Sequence, residues 1–228
     1  MKLLISHKSK NEFKYFLRKN KIDFLETIDN PRLDKRIADH PDLSLFVLDK
    51  DTIVVDKNVF YYYKENLPGV NIISGDEVGY RYPYDAIYNL VKFKSFYIHN
   101  DFTERKIEEM MDKNFYKFLK IKQGYTRCSS IVLNDSIITS DYGIYKSLKD
   151  KIDISLIEKE DIELDGFDSG FLGGTCGMID KRTIVFNGNI KKLNSYDIIN
   201  KQCNKEKIKI IYPKNCELLD TGSLIMIG

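Results

Sequence analysis

The stretch that decides the reading is Gln123–Leu148, QGYTRCSSIVLNDSIITSDYGIYKSL. Ser130 to Leu133 is a short apolar strand, and Asn134-Asp135 is a turn pair. Ile137 to Thr139 makes a second, β-branched strand. Ser140 or Asp141 then offers a side-chain oxygen to the free N–H groups of a helix start. Ile152 to Ile157 closes the unit with a third strand. Cys128 stands at the lip of the first strand.

The same grammar recurs four more times. One copy runs from Ser44–Leu48 through Thr52–Val55 and a helix near Lys57–Glu65 to Val70–Ile73. In that helix Phe60 and Tyr63 fall on one face, which marks them as core residues. The next copy runs Ala86–Val91, Ser95–Ile98, a helix at Thr103–Met111 with Asp101 or Thr103 as cap, and Tyr116–Ile121. A third further copy runs Gly177–Asp180, Thr183–Phe186, a helix near Ser195–Asn200 and Ile208–Tyr212. The last is split between the two ends: Ser223–Ile227, then Lys2–Ser6, a helix at Asn11–Lys19 and Ile22–Leu25.

Small residues open the copies at Ser44, Ala86, Ser130, Gly177 and Ser223, at intervals of 42, 44, 47 and 46 residues. Across the joined ends the interval is 49. A unit that cannot bury its face alone stacks on its neighbours, and a count that closes implies a ring whose ends meet. No linker composition interrupts the series, so residues 1–228 are expected to form one domain. The glycine-rich piece Gly166–Gly174 lacks the lysine and spacing of a phosphate loop, so its glycines are expected to serve tight turns or close backbone approach.

Totals exclude several classes. Of the side chains 43% are hydrophobic, enough for a core, and 36 basic against 34 acidic residues leave +2. That balance argues against nucleic-acid binding through the phosphate backbone. The opening MKLLISHKSKNEF has too short an apolar run for an export signal, and no run approaches the length of a membrane span. A cytoplasmic protein with reduced cysteines, no membrane contact and no cofactor is the expectation. Cys128, Cys176, Cys203 and Cys216 form no CxxC pair, and His7, His40 and His99 are scattered, so no metal is expected.

Side chains alternate across a strand, so residues two before each small residue are expected on one side of the ring. That column holds Asp42, Tyr84, Cys128, Thr175 and Thr221, with Cys176 out of step. Cys128 is therefore the candidate nucleophile, with buried structural cysteine as the plain alternative. His40, held by Pro41, is the candidate acid and base. His7 and His99, at the ends of second strands, suit surface or structural roles. Asp42, Asp85 and Asp220 fall near the rim and Asp168 on its approach. Such a set suits a planar organic cation; each also suits loop capping.

Five ββαβ-like units closed by terminal strand pairing resemble the pentein, or guanidino-group-modifying-enzyme, superfamily. The segments QGYTRCSS (Gln123–Ser130), GFLGGTCG (Gly170–Gly177) and LLDTGSL (Leu218–Leu224) resemble an uncharacterised bacterial branch of it. The resemblance implies a five-fold pseudo-symmetric α/β propeller over the whole chain. His40-Pro-Asp42, with Asp49 beyond it, looks like the family's His-x-Asp segment, here in the first full copy rather than a late one. The family's nucleophile belongs to the last repeat, where Thr221-Gly222-Ser223 stands here. The expected function is a cysteine-dependent hydrolase or transferase acting on a guanidino-like small molecule. In it Cys128 attacks, His40 moves the proton, Asp42 and Asp85 hold the cation, and Asp168, Asp220, Tyr84 and Thr221 complete the site. The rival is a non-catalytic pentein that binds a protein, ribosomal or small-molecule partner.

Overall fold

Each unit of the sequence pattern becomes a three-stranded sheet in the computed structural model, which describes residues 1–228. The chain begins with β1 (Lys2–Ile5), α1 (Asn11–Lys19) and β2 (Phe24–Glu26). A one-turn helix, α2 (Pro41–Ser44), leads into β3 (Leu45–Asp49), β4 (Thr52–Asp56), α3 (Phe60–Asn66) and β5 (Asn71–Gly75). Next come β6 (Val91–Phe93), β7 (Phe96–His99), α4 (Arg105–Lys113) and β8 (Lys117–Lys120). They are followed by β9 (Ser130–Val132), β10 (Ile137–Thr139), α5 (Tyr142–Leu148) and β11 (Ile154–Leu156). The last strands are β12 (Cys176–Asp180), β13 (Thr183–Phe186), β14 (Lys209–Ile211) and β15 (Ile225–Ile227), with α6 (Tyr196–Lys205) between β13 and β14.

Every sheet has the same wiring. An antiparallel pair supplies two strands, a hairpin in four of the sheets, and a helical crossover returns a third, parallel to the second. The middle strand is covered on both faces, which explains unbroken apolar runs such as Ile53-Val54-Val55. The ends of the chain share a sheet: β1 lies antiparallel to β15, with Leu3 opposite Met226.

Five apolar clusters form the core, and each joins two sheets. One joins β1 and β15 to β4 and α3 through Leu4, Ile227, Ile53 and Tyr63. Others join the sheets of β4 and β7, of β7 and β10, and of β10 and β13. The fifth returns from Val185 of β13 to Leu3, Ile5, Phe13 and Leu17 of β1 and α1. The Phe13–Leu17 spacing places both on one face of α1, and both are fully buried.

Two local readings needed correction. The stretch Ala86–Val91 is not a strand; Tyr84–Ala86 is a 3-10 turn, and β6 starts only at Val91. The N–H groups of Tyr84 and Asp85 bond to the Arg81 carbonyl, and those of Ala86 and Asn89 bond back within the turn, so they are lost to a ladder. The cap of α4 is Glu104, whose carboxylate accepts from Ile107 N at 2.7 Å. Thr103 instead bonds the His99 ring. The cap of α5 is Asp141, accepting from Ile144 N at 2.8 Å. No helix is long and apolar enough to cross a membrane.

Two cavities are each lined by residues from several of these units. The larger, about 420 Å³, is lined by residues of β3, β6, β9, β12 and β15, the strand in each sheet that opens a unit of the pattern. The smaller, about 220 Å³, is lined by His40, Tyr125, Cys128 and Asp220 among mainly apolar residues.

Candidate active site

Cys128 and Asp42 come together across 86 residues of chain, with the thiol donating to Asp42 Oδ2 at 3.0 Å. The Ser223 N–H donates to the same oxygen at 3.0 Å, tying the first full unit to the last. Asp42 Oδ1 is buried without a partner. Asn89 Nδ2 donates to the Cys128 sulfur at 3.0 Å and to the Asp42 carbonyl at 3.2 Å. Its Oδ1 accepts from the backbone N–H groups of Arg127 and Cys128. A fully buried amide thus uses both ends to pin the thiol.

Pattern reading missed Asn89 because it opened the second copy at Ala86. The later start of β6 at Val91 places Asn89, not Ala86, just before the strand. The polar residue directly ahead of Leu90-Val91 was the available signal.

Burial pushes the Cys128 thiol well above its ordinary pKa, and the charges of Asp42 and Asp220 push it further. The resting group is a neutral thiol. Asp220 is fully buried; burial raises its pKa, while the nearby His40 charge and the N–H groups of Phe171 and Gly222 act the other way. Those N–H groups reach Asp220 at 2.8 and 3.0 Å. Burial also raises Asp85, which accepts from the Tyr125 hydroxyl at 2.7 Å and leaves its second oxygen unpaired.

The glycine-rich piece forms the wall behind Asp220. A Cβ on Gly174 would lie 1.9 Å from Asp220 Oδ1, and one on Gly173 2.4 Å from the Cys128 carbonyl oxygen. Close approach is therefore the reason for glycine here. Across the mouth, Tyr82, Tyr125 and Phe171 stack in series, with ring centroids 5.7 and 5.9 Å apart.

Of the predicted site residues, His40, Cys128 and Asp220 line this cavity; Asp42 lies behind the thiol and Asp85 behind Tyr125. The others are not brought together. Tyr84 is 56% exposed and packs edge-on against Phe102. Asp168 points to solvent on an exposed loop. Thr221 is buried, accepting from Asn187 Nδ2 at 3.2 Å. Asp49 lines the larger cavity instead.

The expected column also has a different cause. Asp42 lies in α2 and Thr175 in a 3-10 turn, so turns ahead of the strands, not alternation along them, place these residues. Cys176 is in the core between the third and fourth repeats of the pattern, its pKa pushed up to about 12 by burial. His99 is fully buried, and His7 pairs with Asp29 at 2.9 Å. His7, Asp29 and Asp39 have metal-like spacing, but Lys8 Nζ already lies 2.9 Å from Asp39 Oδ1.

A profile for a family of unknown function, DUF6873, matches residues 4–225. The chain belongs to that family. No functionally curated protein matches it. Among solved structures it is similar to the inosamine-phosphate amidinotransferase StrB1 of Streptomyces griseus, at 10% identity and a TM-score of 0.56, over 95% of this chain and 77% of that one. A dimethylarginine dimethylaminohydrolase, solved as an adduct with 4-chloro-2-hydroxymethylpyridine, matches at 8% identity and 0.54, over 93% and 91%. SxtG, an amidinotransferase from Microseira wollei in the saxitoxin biosynthetic pathway, matches at 12% identity and 0.50, over 94% and 82%. This DUF6873 member thus has the mixed α/β fold of pentein enzymes.

Proposed function

We propose that this protein is a cysteine-dependent hydrolase or transferase acting on a guanidino-like small molecule, with Cys128 as nucleophile. One observation carries the reading: Cys128, His40 and Asp220 line a single apolar cavity while the thiol rests on Asp42. A planar cation in this cavity would lie beside Asp220 and bring positive charge to the neighbourhood of Asp42. It would also bring the thiol pKa down, since carboxylate charges are among the causes that hold it up.

In this mechanism the thiol proton passes to Asp42 Oδ2, and the sulfur adds to the guanidinium carbon, forming a C–S bond. The C–N bond to the leaving amine then breaks as His40 gives that nitrogen a proton. Water in a hydrolase, or an acceptor amine in a transferase, next attacks the amidino carbon and gives a proton to His40, which restores the acid used on the leaving amine. The C–S bond breaks, and the proton on Asp42 returns to sulfur. Asp220, which lines the cavity, replaces Asp42 and Asp85 as the partner of the cation. Asp85 acts at one remove by orienting Tyr125.

The same reading takes residues 1–228 as one domain in which the five sheets close into an α/β propeller. Its supports are the β1–β15 pairing, the cyclic order of the five core clusters and the single cavity bordered by five equivalent strands. A cytoplasmic location suits a protein with four free cysteines.

The test is incubation with a panel of guanidino compounds, with intact-mass and peptide mass spectrometry for a Cys128 adduct and assay of the released amine. Turnover unchanged in Cys128→Ala, with Cys128 never modified, would remove the mechanism. Thr221 in the last unit, turned to Asn187 rather than to the cavity, favours a second reading, a non-catalytic binding protein. That reading expects ligand-dependent melting, or a stoichiometric partner, without product.

A further inference from the structure

Asp42, on the far end of the Cys128–Asp42 contact, lines the larger cavity, whose charged side chains are three basic (Lys50, Lys92, Arg127) and two acidic (Asp42, Asp49). Its walls are apolar, with Val47, Val91, Val132, Met178 and Met226 coming from the five bordering strands. Two cations enter it from neighbouring units, Lys92 on β6 and Arg127 from the turn before β9. Each rests on a backbone carbonyl rather than on a carboxylate: Lys92 Nζ donates to Leu48 O, and Arg127 Nη1 to Ser130 O at 3.0 Å. A guanidinium has five N–H donors and an ammonium three, so most of their capacity stays open.

Two acids share the cavity. Asp42 takes the Cys128 thiol and the Ser223 N–H on one oxygen, and its other oxygen is buried without a partner. Asp49 accepts from Asp51 N at 2.9 Å, and the exposed Lys50 at the rim pairs with Asp51 at 3.4 Å. Burial lowers the Lys92 pKa, with Asp49 only partly offsetting it. Partly buried cations whose head groups form no ion pair make a site that an anion would complete.

We propose that this cavity binds a small organic anion, a monocarboxylate with a short aliphatic chain. Lys92 and Arg127 hold its carboxylate, and the chain lies against the valine and methionine walls. The volume, about 420 Å³, is in the range of small-molecule sites. Asp42 and Asp49 in the same cavity disfavour a dianion, and the apolar walls disfavour inorganic phosphate. This site is separate from the proposed guanidino cavity and does not depend on that function.

Calorimetric titration with sodium hexanoate tests it, with hexanol, hexylamine and inorganic phosphate as comparison probes. Hexanoate is expected to bind saturably and the other three not. Affinity is expected to fall roughly tenfold or more in Lys92→Met and in Arg127→Met. It is expected to hold in Lys191→Met, a remote exposed control. Should a methionine variant melt well below the parent, Lys92→Gln and Arg127→Gln replace it with the same expectation. Absence of saturable hexanoate binding in the millimolar range overturns the proposal. So does binding that hexanol reproduces, or binding that survives loss of both cations.

Discussion

The Cys128 thiol donates to Asp42 Oδ2 at 3.0 Å, and the two residues sit between two cavities, Cys128 lining the smaller and Asp42 the larger. Three buried side chains, Asp42, Asn89 and Cys128, meet at this layer with the backbone N–H of Ser223. Burial first, and then the same carboxylate that receives its proton in the proposed reaction, keep the thiol neutral.

Asp42→Asn separates those two roles. Loss of the carboxylate charge lowers the Cys128 pKa, so alkylation by iodoacetamide at fixed pH becomes faster than in the parent. Turnover of a guanidino substrate falls instead, by roughly 10²-fold or more, because the proton acceptor is gone. Paired alkylation and steady-state assays check the opposite signs; a fall in both contradicts the arrangement.

His99 predicts an acid limb in stability. Its ring accepts from Thr103 Oγ1 at Nδ1 and donates to Gly124 O from Nε2, both at 2.9 Å, so it is folded as the neutral tautomer. Burial lowers its pKa to about 4. A base with a depressed folded pKa contributes stability above its unfolded value, near 6.5, and loses it as pH falls toward 4. The loss is on the order of 3 kcal/mol. Urea unfolding from pH 7 to 4 is expected to show a shallower decline in His99→Gln than in the parent.

Tyr125→Phe leaves Asp85 buried with neither oxygen bonded, since Oδ1 already lacks a partner and Oδ2 loses the hydroxyl. A destabilisation of about 1–3 kcal/mol is expected at neutral pH. It is expected to shrink in acid, where the carboxyl group becomes neutral and burial favours that form. Denaturant midpoints at the two pH values measure the difference. Stacking with Tyr82 and Phe171 survives, so the mouth of the cavity keeps its shape.

Gly174→Ala places a methyl group 1.9 Å from Asp220 Oδ1, a contact no real Cβ sustains. Overpacking of this kind costs about 1–3 kcal/mol. Asp220 must also shift, so substrate binding is expected to weaken along with stability. Gly69→Ala is the control for added volume, because a Cβ there meets nothing within 4 Å, although its φ of +88° adds backbone strain. It is expected to lower stability while leaving the substrate KM unchanged.

Local chemistry determined much of this protein. Short apolar and β-branched runs, turn pairs and a cap at Ser140 or Asp141 placed most strands and helices, and five near-equal intervals anticipated that β1 and β15 would share a sheet. Those features depend on neighbours within a few residues or on periodicity, so they can be read from a linear chain. The interval rule failed at Ala86, where a local turn takes up the backbone donors, and with it went Asn89. Only tertiary packing decided which acids reach the thiol: Asp42 touches it, Asp220 borders its cavity, Asp85 stops at Tyr125 and Asp168 faces solvent. All four are aspartates beside turns, indistinguishable by type and spacing. What separates them is the direction in which each turn delivers its side chain once neighbouring sheets pack together, and that depends on contacts between residues as far apart as Asp42 and Cys128.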